Sequence, residues 1–264
     1  MRINAVKRKL LRDEVAIGLI MLSADPHVVG VAAEAGFDYV MPDLEHTGIS
    51  LRELELLVRT ADVSGIVPLV RVPGPRKQDI LAVLETGVRG IMVPAVESAE
   101  EAREAVAAAR YAPLGKRGVY YMGYSSEYGG VPPLEHFRSS NEELLVILQI
   151  ETAKGVQNAG EIAAVPGVDC LLVGPGDLTQ SLGVPWEFEH PAVWEAIRKS
   201  FQATRLHGKV AGIMPAGADH ARRCVDEGAR LLIWGPDLAL LQRAAREDAA
   251  TLAGLLRWQP RKKE

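Results

Sequence analysis

A (β/α)8 barrel, the TIM-barrel form of the α/β class, is the fold this sequence predicts. Three observations point to it. Short apolar runs bounded by glycine and proline alternate with amphipathic helical stretches along all 264 residues. Three segments share one grammar, a helix-ending glycine leading straight into a strand: Ala35-Gly36-Phe37-Asp38-Tyr39-Val40, Thr86-Gly87-Val88-Arg89-Gly90-Ile91 and Glu227-Gly228-Ala229-Arg230-Leu231-Leu232. About eight such units in about 250 residues make one barrel. The rival, an open doubly wound sheet, would carry G-x-G-x-x-G after its first strand, and none follows here.

Each element has its own signal. Val15 to Met21 reads as strand one, and Asp25-Pro26 then caps and starts a helix that ends at Ala35-Gly36. Strand two, Phe37 to Pro42, runs directly into Asp43-Leu44-Glu45-His46. Ser50-Leu51-Arg52-Glu53 is a capping box opening a helix to about Asp62. Strand three, Val67 to Val72, carries Arg71 at its end. A helix over Lys77 to Glu85 leads to strand four, Gly90 to Pro94, and a second capping box at Ser98 to Glu101 opens a helix to about Arg110. Residues 112–143 break the rhythm, with Tyr120, Tyr121, Tyr124 and Tyr128 among glycines and prolines. Connections of about two to six residues are usual here, so a pocket or subunit-contact role and a plain surface excursion both stay open.

Strand five closes at Glu151 and is followed by a helix over about Lys154 to Ala164. Strand six, from Cys170, closes at Gly174. The next helix runs from His190-Pro191 to about Leu206, and strand seven spans Lys209 to Met214. Asp219 to Glu227 is helical, Arg230 to Trp234 is strand eight, and a last helix covers about 236–257. The tail from Pro260 to Glu264 is expected to fray.

With 48% hydrophobic residues and a net charge of −4, the chain can fill a core and lacks the footprint of a nucleic-acid binder. Its two cysteines suggest neither a disulfide framework nor a zinc cluster. The basic start is not followed by a secretory apolar region, and no run approaches the roughly 18 apolar residues of a membrane span. A cytoplasmic protein with no membrane partner is expected.

Catalytic groups of a barrel stand at the C-terminal ends of its strands. Those ends carry Asp43 and His46, Arg71, Gln149 and Glu151, and Asp177. Two carboxylates closing neighbouring strands repel each other unless a cation or shared proton lies between them. A site for Mg2+ or Mn2+ on Glu151 and Asp177 is the economical reading, with positions left for water and a bidentate substrate. Asp177 as the N-cap of a turn at Leu178-Thr179-Gln180 and Glu151 in a buried ion pair with a lysine or arginine are the alternatives. His46 could be a base steadied by Asp43, or a loop histidine. Arg71 could clamp a carboxylate or oxyanion, or pair structurally with Asp43 or Glu45. Gly174-Pro175-Gly176-Asp177 offers backbone amides to a small anion. A Schiff-base lysine is missing from the strand ends, Lys154 being nearest. His190, His207 and His220 read as structural or solvated.

Asp43-Leu44-Glu45-His46, Pro68-Leu69-Val70-Arg71, Tyr111-Ala112-Pro113-Leu114-Gly115-Lys116-Arg117-Gly118, Gln149-Ile150-Glu151 and Gly174-Pro175-Gly176-Asp177-Leu178 occur in that order. The set resembles the HpcH/HpaI aldolase family, the class II pyruvate aldolases, from about Val15 to Leu255. The resemblance implies a barrel of the phosphoenolpyruvate/pyruvate superfamily type and reversible cleavage of a 4-hydroxy-2-oxo acid to pyruvate and an aldehyde, as in the breakdown of aromatic compounds. It implies Mg2+, Mn2+ or Co2+ on Glu151 and Asp177, Arg71 steadying the enolate, and His46 with Asp43 handling the proton. Gln149, Gly174, Pro175, Gly176, Met214 and Arg117 would touch substrate. It also implies a homo-oligomer, a hexamer or smaller, whose last helix is exchanged between subunits. Glycine at 176, where the family often has alanine, and the aromatic run after Gly118 depart from its pattern and bear on the aldehyde side. A citramalyl-CoA type lyase and a non-catalytic barrel binding a 2-oxo acid are the alternatives.

Overall fold

The computed structural model describes residues 3–256 and 258, so the tail expected to fray lies outside the described residues. Eight parallel strands close into one barrel in chain order. They are β1 (Ala16–Met21), β2 (Tyr39–Pro42), β3 (Val67–Arg71), β4 (Gly90–Val93), β5 (Leu145–Ile150), β6 (Cys170–Val173), β7 (Val210–Ile213) and β8 (Leu231–Trp234), with β8 pairing back onto β1. The helices are α1 (Ala5–Leu11), α2 (Pro26–Glu34), α3 (Leu51–Ser64), α4 (Lys77–Glu85), α5 (Ala99–Ala109), α6 (Pro133–Glu143), α7 (Ala153–Gln157), α8 (Ala159–Ala163), α9 (Pro175–Ser181), α10 (Pro191–Leu206), α11 (Ala218–Asp226) and α12 (Asp237–Leu256). Both capping boxes form, on Ser50 with Glu53 and on Ser98 with Glu101. No described helix is long and apolar enough to cross a membrane.

Strand side chains alternate between two apolar layers. One faces the helices; the other fills the barrel and includes Ile20, Tyr39, Met41, Leu69 and Leu145. Tyr39 fits inside only because Gly18 lies beside it, where a Cβ would come within 2.2 Å of the ring. Its hydroxyl donates to the Leu232 carbonyl at 2.7 Å, so no polar atom of this buried ring is stranded.

Helix α1 has no counterpart among the sequence expectations. The basic start hides an i, i+4 pair, Val6 and Leu10, that joins the barrel interior and plugs its N-terminal mouth. Asn4 caps the helix and, fully buried, donates to the carbonyls of Arg89 at 2.8 Å and Glu143 at 3.0 Å. Lys7 and Lys9 are spent on local acids, 3.2 Å from Asp169 and 2.9 Å from Asp38. The helix expected over 154–164 is two short ones, α7 and α8, broken at Asn158, whose side-chain amide donates to the Glu97 carbonyl at 2.7 Å. A further helix, α9, follows β6 where only a turn was expected.

The long connection holds a 3-10 turn, Tyr124–Gly129, and then α6. It packs at the end of the barrel opposite the strand C-termini. The Tyr124 hydroxyl donates to Asp62, near the C-terminus of α3, at 2.7 Å. Buried Arg117 reaches Glu85, the last residue of α4, at 3.0 Å and lies 4.5 Å from the Tyr111 ring centre. At the other end of the chain, Asp237 ties the start of α12 to the end of β1, accepting from the amides of Leu22 at 2.8 Å and Ser23 at 3.2 Å. Beyond Asp237 the helix has no buried residue, and Leu238, Leu241, Leu252, Leu255 and Leu256 are exposed.

His136 of α6 is fully buried against Tyr111 and Phe137. Burial, helped by the charge of Arg117, lowers its pKa from 6.5 to about 4. Between those values the unfolded chain binds a proton that the folded chain refuses. This contribution to stability is complete above about pH 6.5 and is lost as pH falls toward about 4. Thermal melts across that range are expected to show a falling midpoint, with a shallower fall in His136→Leu.

Candidate active site

Strand register builds the site. Tyr39 pairs with Val67 and Val40 with Pro68, and the same offset carried past β2 sets Asp43 opposite Arg71. Asp43 is wholly buried and accepts Arg71 Nε at 2.8 Å and Nη2 at 2.6 Å, a two-pronged charge-assisted contact. The third guanidinium nitrogen, Nη1, lies 3.1 Å from Glu45 Oε2, and His46 Nε2 lies 3.5 Å from the same oxygen. The expected Asp43–His46 pair is therefore not the one observed. Asp43 is committed to Arg71 at strand level, whereas His46 sits on the loop above with its side chain 58% exposed, and Glu45 stands between Arg71 and His46. Burial works against the charge of Arg71, but Asp43, Glu45 and Glu151 outweigh it and raise its pKa.

Glu151 follows β5 and is buried. Its Oε1 accepts the Ala95 amide at 2.8 Å, and its Oε2 accepts from the Gln149 side-chain amide. Burial, then the negative charges of Asp177 and Glu45, push its pKa up to about 7, against the pull of the Ala95 amide and Arg71. Gln149 Oε1 is buried without a hydrogen-bond partner. The facing position just after β6 suits glycine, because a Cβ on Gly174 would lie 2.7 Å from Glu151 Oε2 and 2.5 Å from Gln149 Nε2 and would push both side-chain ends aside. Gly174 is also the N-cap of α9, with Pro175 at the first helical position. Asp177 is thus the third residue of that helix rather than its cap, and it is exposed to the cavity.

A cavity of about 600 Å³ opens at this end of the barrel. His46, Arg71, Gln149, Gly174, Pro175, Gly176, Asp177 and Met214 line it, and Asp43 and Glu151 stand behind Arg71 and Gln149. Arg117 is not brought here; it stays on Glu85 at the opposite end. Nor is Lys154, which is exposed and 3.1 Å from Glu97. The outer wall, Trp186, Phe188, Pro215, Ala216, Gly235 and Pro236, was missed. Two aromatics in the short Gly183–Phe188 stretch were its one sequence signal. Among the described residues no cluster of three or more His, Cys, Asp or Glu could hold a metal alone.

Removing Asp43 leaves a buried guanidinium with Glu45 as its remaining near partner. Asp43→Ala is expected to cost about 3–5 kcal/mol in urea unfolding, and the double change Asp43→Leu with Arg71→Met markedly less, since no charge is then stranded.

The family model for HpcH/HpaI aldolase/citrate lyase matches residues 16–244. The chain is 37% identical over 243 residues to a hydroxypyruvate/pyruvate aldolase of Delftia acidovorans, covering 92% of this chain and 90% of that one. It is 36% identical to a 5-keto-4-deoxy-D-glucarate aldolase of Shigella boydii, covering 94% and 96%. An HpcH/HpaI aldolase of Desulfitobacterium hafniense superposes with a TM-score of 0.91 at 36% identity, covering 96% and 98%. A barrel carrying these groups, matched along nearly its whole length, belongs to the HpcH/HpaI aldolase/citrate lyase family and is an enzyme of the aldolase–lyase type.

Proposed function

We propose that the enzyme reversibly cleaves a 4-hydroxy-2-oxo acid to pyruvate, or a close 2-oxo acid, and an aldehyde, with a divalent cation, Mg2+ or Mn2+ and by extension Co2+. The observation that carries the reading is the convergence of Arg71, His46, Glu151 and Asp177 on one cavity. The donor set fits such a cation. The charge of Asp177 adds to the cost of ionising buried Glu151, and Gln149 Oε1 is a buried oxygen without a partner. Glu151 and Asp177 would hold the ion. When bound, it supplies Lewis-acid stabilisation of the charge that develops on the enolate oxygen.

The protein's own groups account for the rest. Arg71, held rigid by Asp43 and Glu45, presents a fixed positive charge to the 2-oxo acid without reorganising during reaction. The first turn of α9 leaves the amides of Gly176 and Asp177 free for the pyruvate carboxylate. Cleavage breaks the C3–C4 bond. The electron pair stays with C3 as the enolate, the C4 hydroxyl proton passes to His46, and C3 is reprotonated to give pyruvate. Glu45 positions His46 for that transfer. Support for pyruvate as the retained half also comes from the relative named as a hydroxypyruvate/pyruvate aldolase.

Proton NMR of pyruvate in D2O with Mg2+ tests this. Metal-dependent loss of the methyl signal is expected from the wild-type protein, with Glu151→Gln and Asp177→Ala slowed roughly a thousandfold, the scale of losing one electrostatic stabiliser of the transition state. Full exchange in either variant, or none in wild type with any divalent cation, overturns the proposal.

The exposed leucines of α12 support a homo-oligomer in which this helix packs on a second copy. Light scattering at micromolar concentration is expected to give a multiple of the chain mass, reduced by Leu241→Glu with Leu255→Glu; a wild-type monomer would refute it.

A further inference from the structure

The cavity has two chemically distinct halves. The charged side chains lining it, Arg71 and Asp177, lie in the inner half with Gln149 and His46. The outer half is bounded by Gln180, Pro185, Trp186, Phe188, Pro215 and Ala216, with no lysine, arginine or carboxylate. Resting on the aldolase reading above, we infer that Trp186 and Phe188 form the acceptor wall of this site and select aldehydes with an uncharged aromatic or bulky apolar body.

The wall is built rather than incidental. Trp186 is 77% exposed and holds a φ of 67°, a left-handed conformation that a bulky residue adopts at a cost and retains when its surroundings over-determine it. Its amide donates to Thr179 Oγ1 at 3.0 Å, and that hydroxyl donates to the Gly176 carbonyl at 2.6 Å. Thr179 is fully buried, so the Trp186 backbone is suspended from the same turn that carries Gly176 and Asp177. Phe188 meets the indole edge-on, with ring centres 5.2 Å apart, and steadies its plane. A substrate whose 2-oxo acid end is fixed on Arg71 and Asp177 projects its aldehyde half toward this wall.

The chemistry of the wall excludes other acceptors. An anionic aldehyde finds no cation on it. The adjoining groove, which shares Trp186 and Phe188, is lined by Glu187, Glu189 and Asp219 with two histidines and no lysine or arginine. A polyhydroxylated aldehyde would lose water and regain few hydrogen bonds, since Thr179 Oγ1 is already engaged and Gln180 is the remaining polar side chain on this side of the lining. A flat apolar body gains stacking area instead.

The test is aldol addition of pyruvate with Mg2+ to benzaldehyde, glyceraldehyde and glyoxylate, each enzyme's rate being divided by its own rate of pyruvate methyl exchange. Wild type is expected to favour benzaldehyde in kcat/KM. Trp186→Ala should cut the benzaldehyde-to-glyoxylate ratio roughly 10- to 100-fold, the range available to an apolar pocket. Phe188→Leu should cut it less, and Trp186→Phe should keep most of it. A wild-type preference for glyoxylate or glyceraldehyde, or an unchanged ratio in both Trp186→Ala and Phe188→Leu, overturns the assignment while leaving the aldolase reading standing. No methyl exchange in wild type removes both.

Discussion

The bidentate contact between Asp43 and Arg71 is the interaction on which the site depends. It joins two neighbouring strand ends, and it fixes a positive charge at the floor of the cavity that could not otherwise be buried. Because both carboxylate oxygens are used, the guanidinium plane cannot rotate, and its remaining nitrogen lies beside Glu45. Glu45 in turn faces His46. The chain of contacts runs from strand to loop, so the most exposed member is positioned by the most buried one. The carboxylates on the other side, Glu151 and Asp177, then have a positive neighbour without being neutralised by it, and Glu151 keeps its elevated proton affinity.

Much of this was legible in the sequence because barrels repeat a simple rule. Apolar runs mark strands, a glycine marks each return, and a polar residue closing a run marks the working face. That rule locates Asp43, Arg71, Gln149, Glu151 and Asp177. It does not reveal which of them touch, because partners depend on strand register, and an offset between β2 and β3 is invisible in either strand alone. Hence the sequence leaves Asp43 open to both its neighbour His46 and the more distant Arg71, and register decides for Arg71, 28 residues away. Arg117 fails for a related reason. Its motif is local, but the connection that carries it folds back to the far end of the barrel. Trp186 escaped because a loop aromatic has no periodicity to betray it.

The two ends of the barrel divide their labour. At the N-terminal mouth, α1 closes the interior with Val6 and Leu10, while Asn4 satisfies carbonyls of two different segments. His136, Arg117 and Tyr111 are packed at the same end. These are buried polar groups serving stability, and the pH response of His136 is that of folding. Buried polar atoms without a partner occur at both ends, His136 Nδ1 and Arg117 Nε among them, but at the C-terminal mouth Gln149 Oε1 is one on the wall of the cavity, beside Glu151, whose ionisation the charge of Asp177 opposes. An unspent interaction is a cost to the folded state and a resource for binding.

Gly174 links the two demands in a way that bears on how this site can change over generations. The carboxylate of Glu151 occupies the space where any side chain at position 174 would begin. The two positions are therefore not free to vary independently. A lineage that drifts to alanine at 174 while glutamate stands at 151 must displace the side-chain ends of Glu151 and Gln149 from their places in the site. A lineage that first shortens 151 gains room but gives up the buried acid. Sequence change here is ordered, with each position's tolerance written by the occupant of the other, so the pair resists single-step wandering more firmly than either residue would alone.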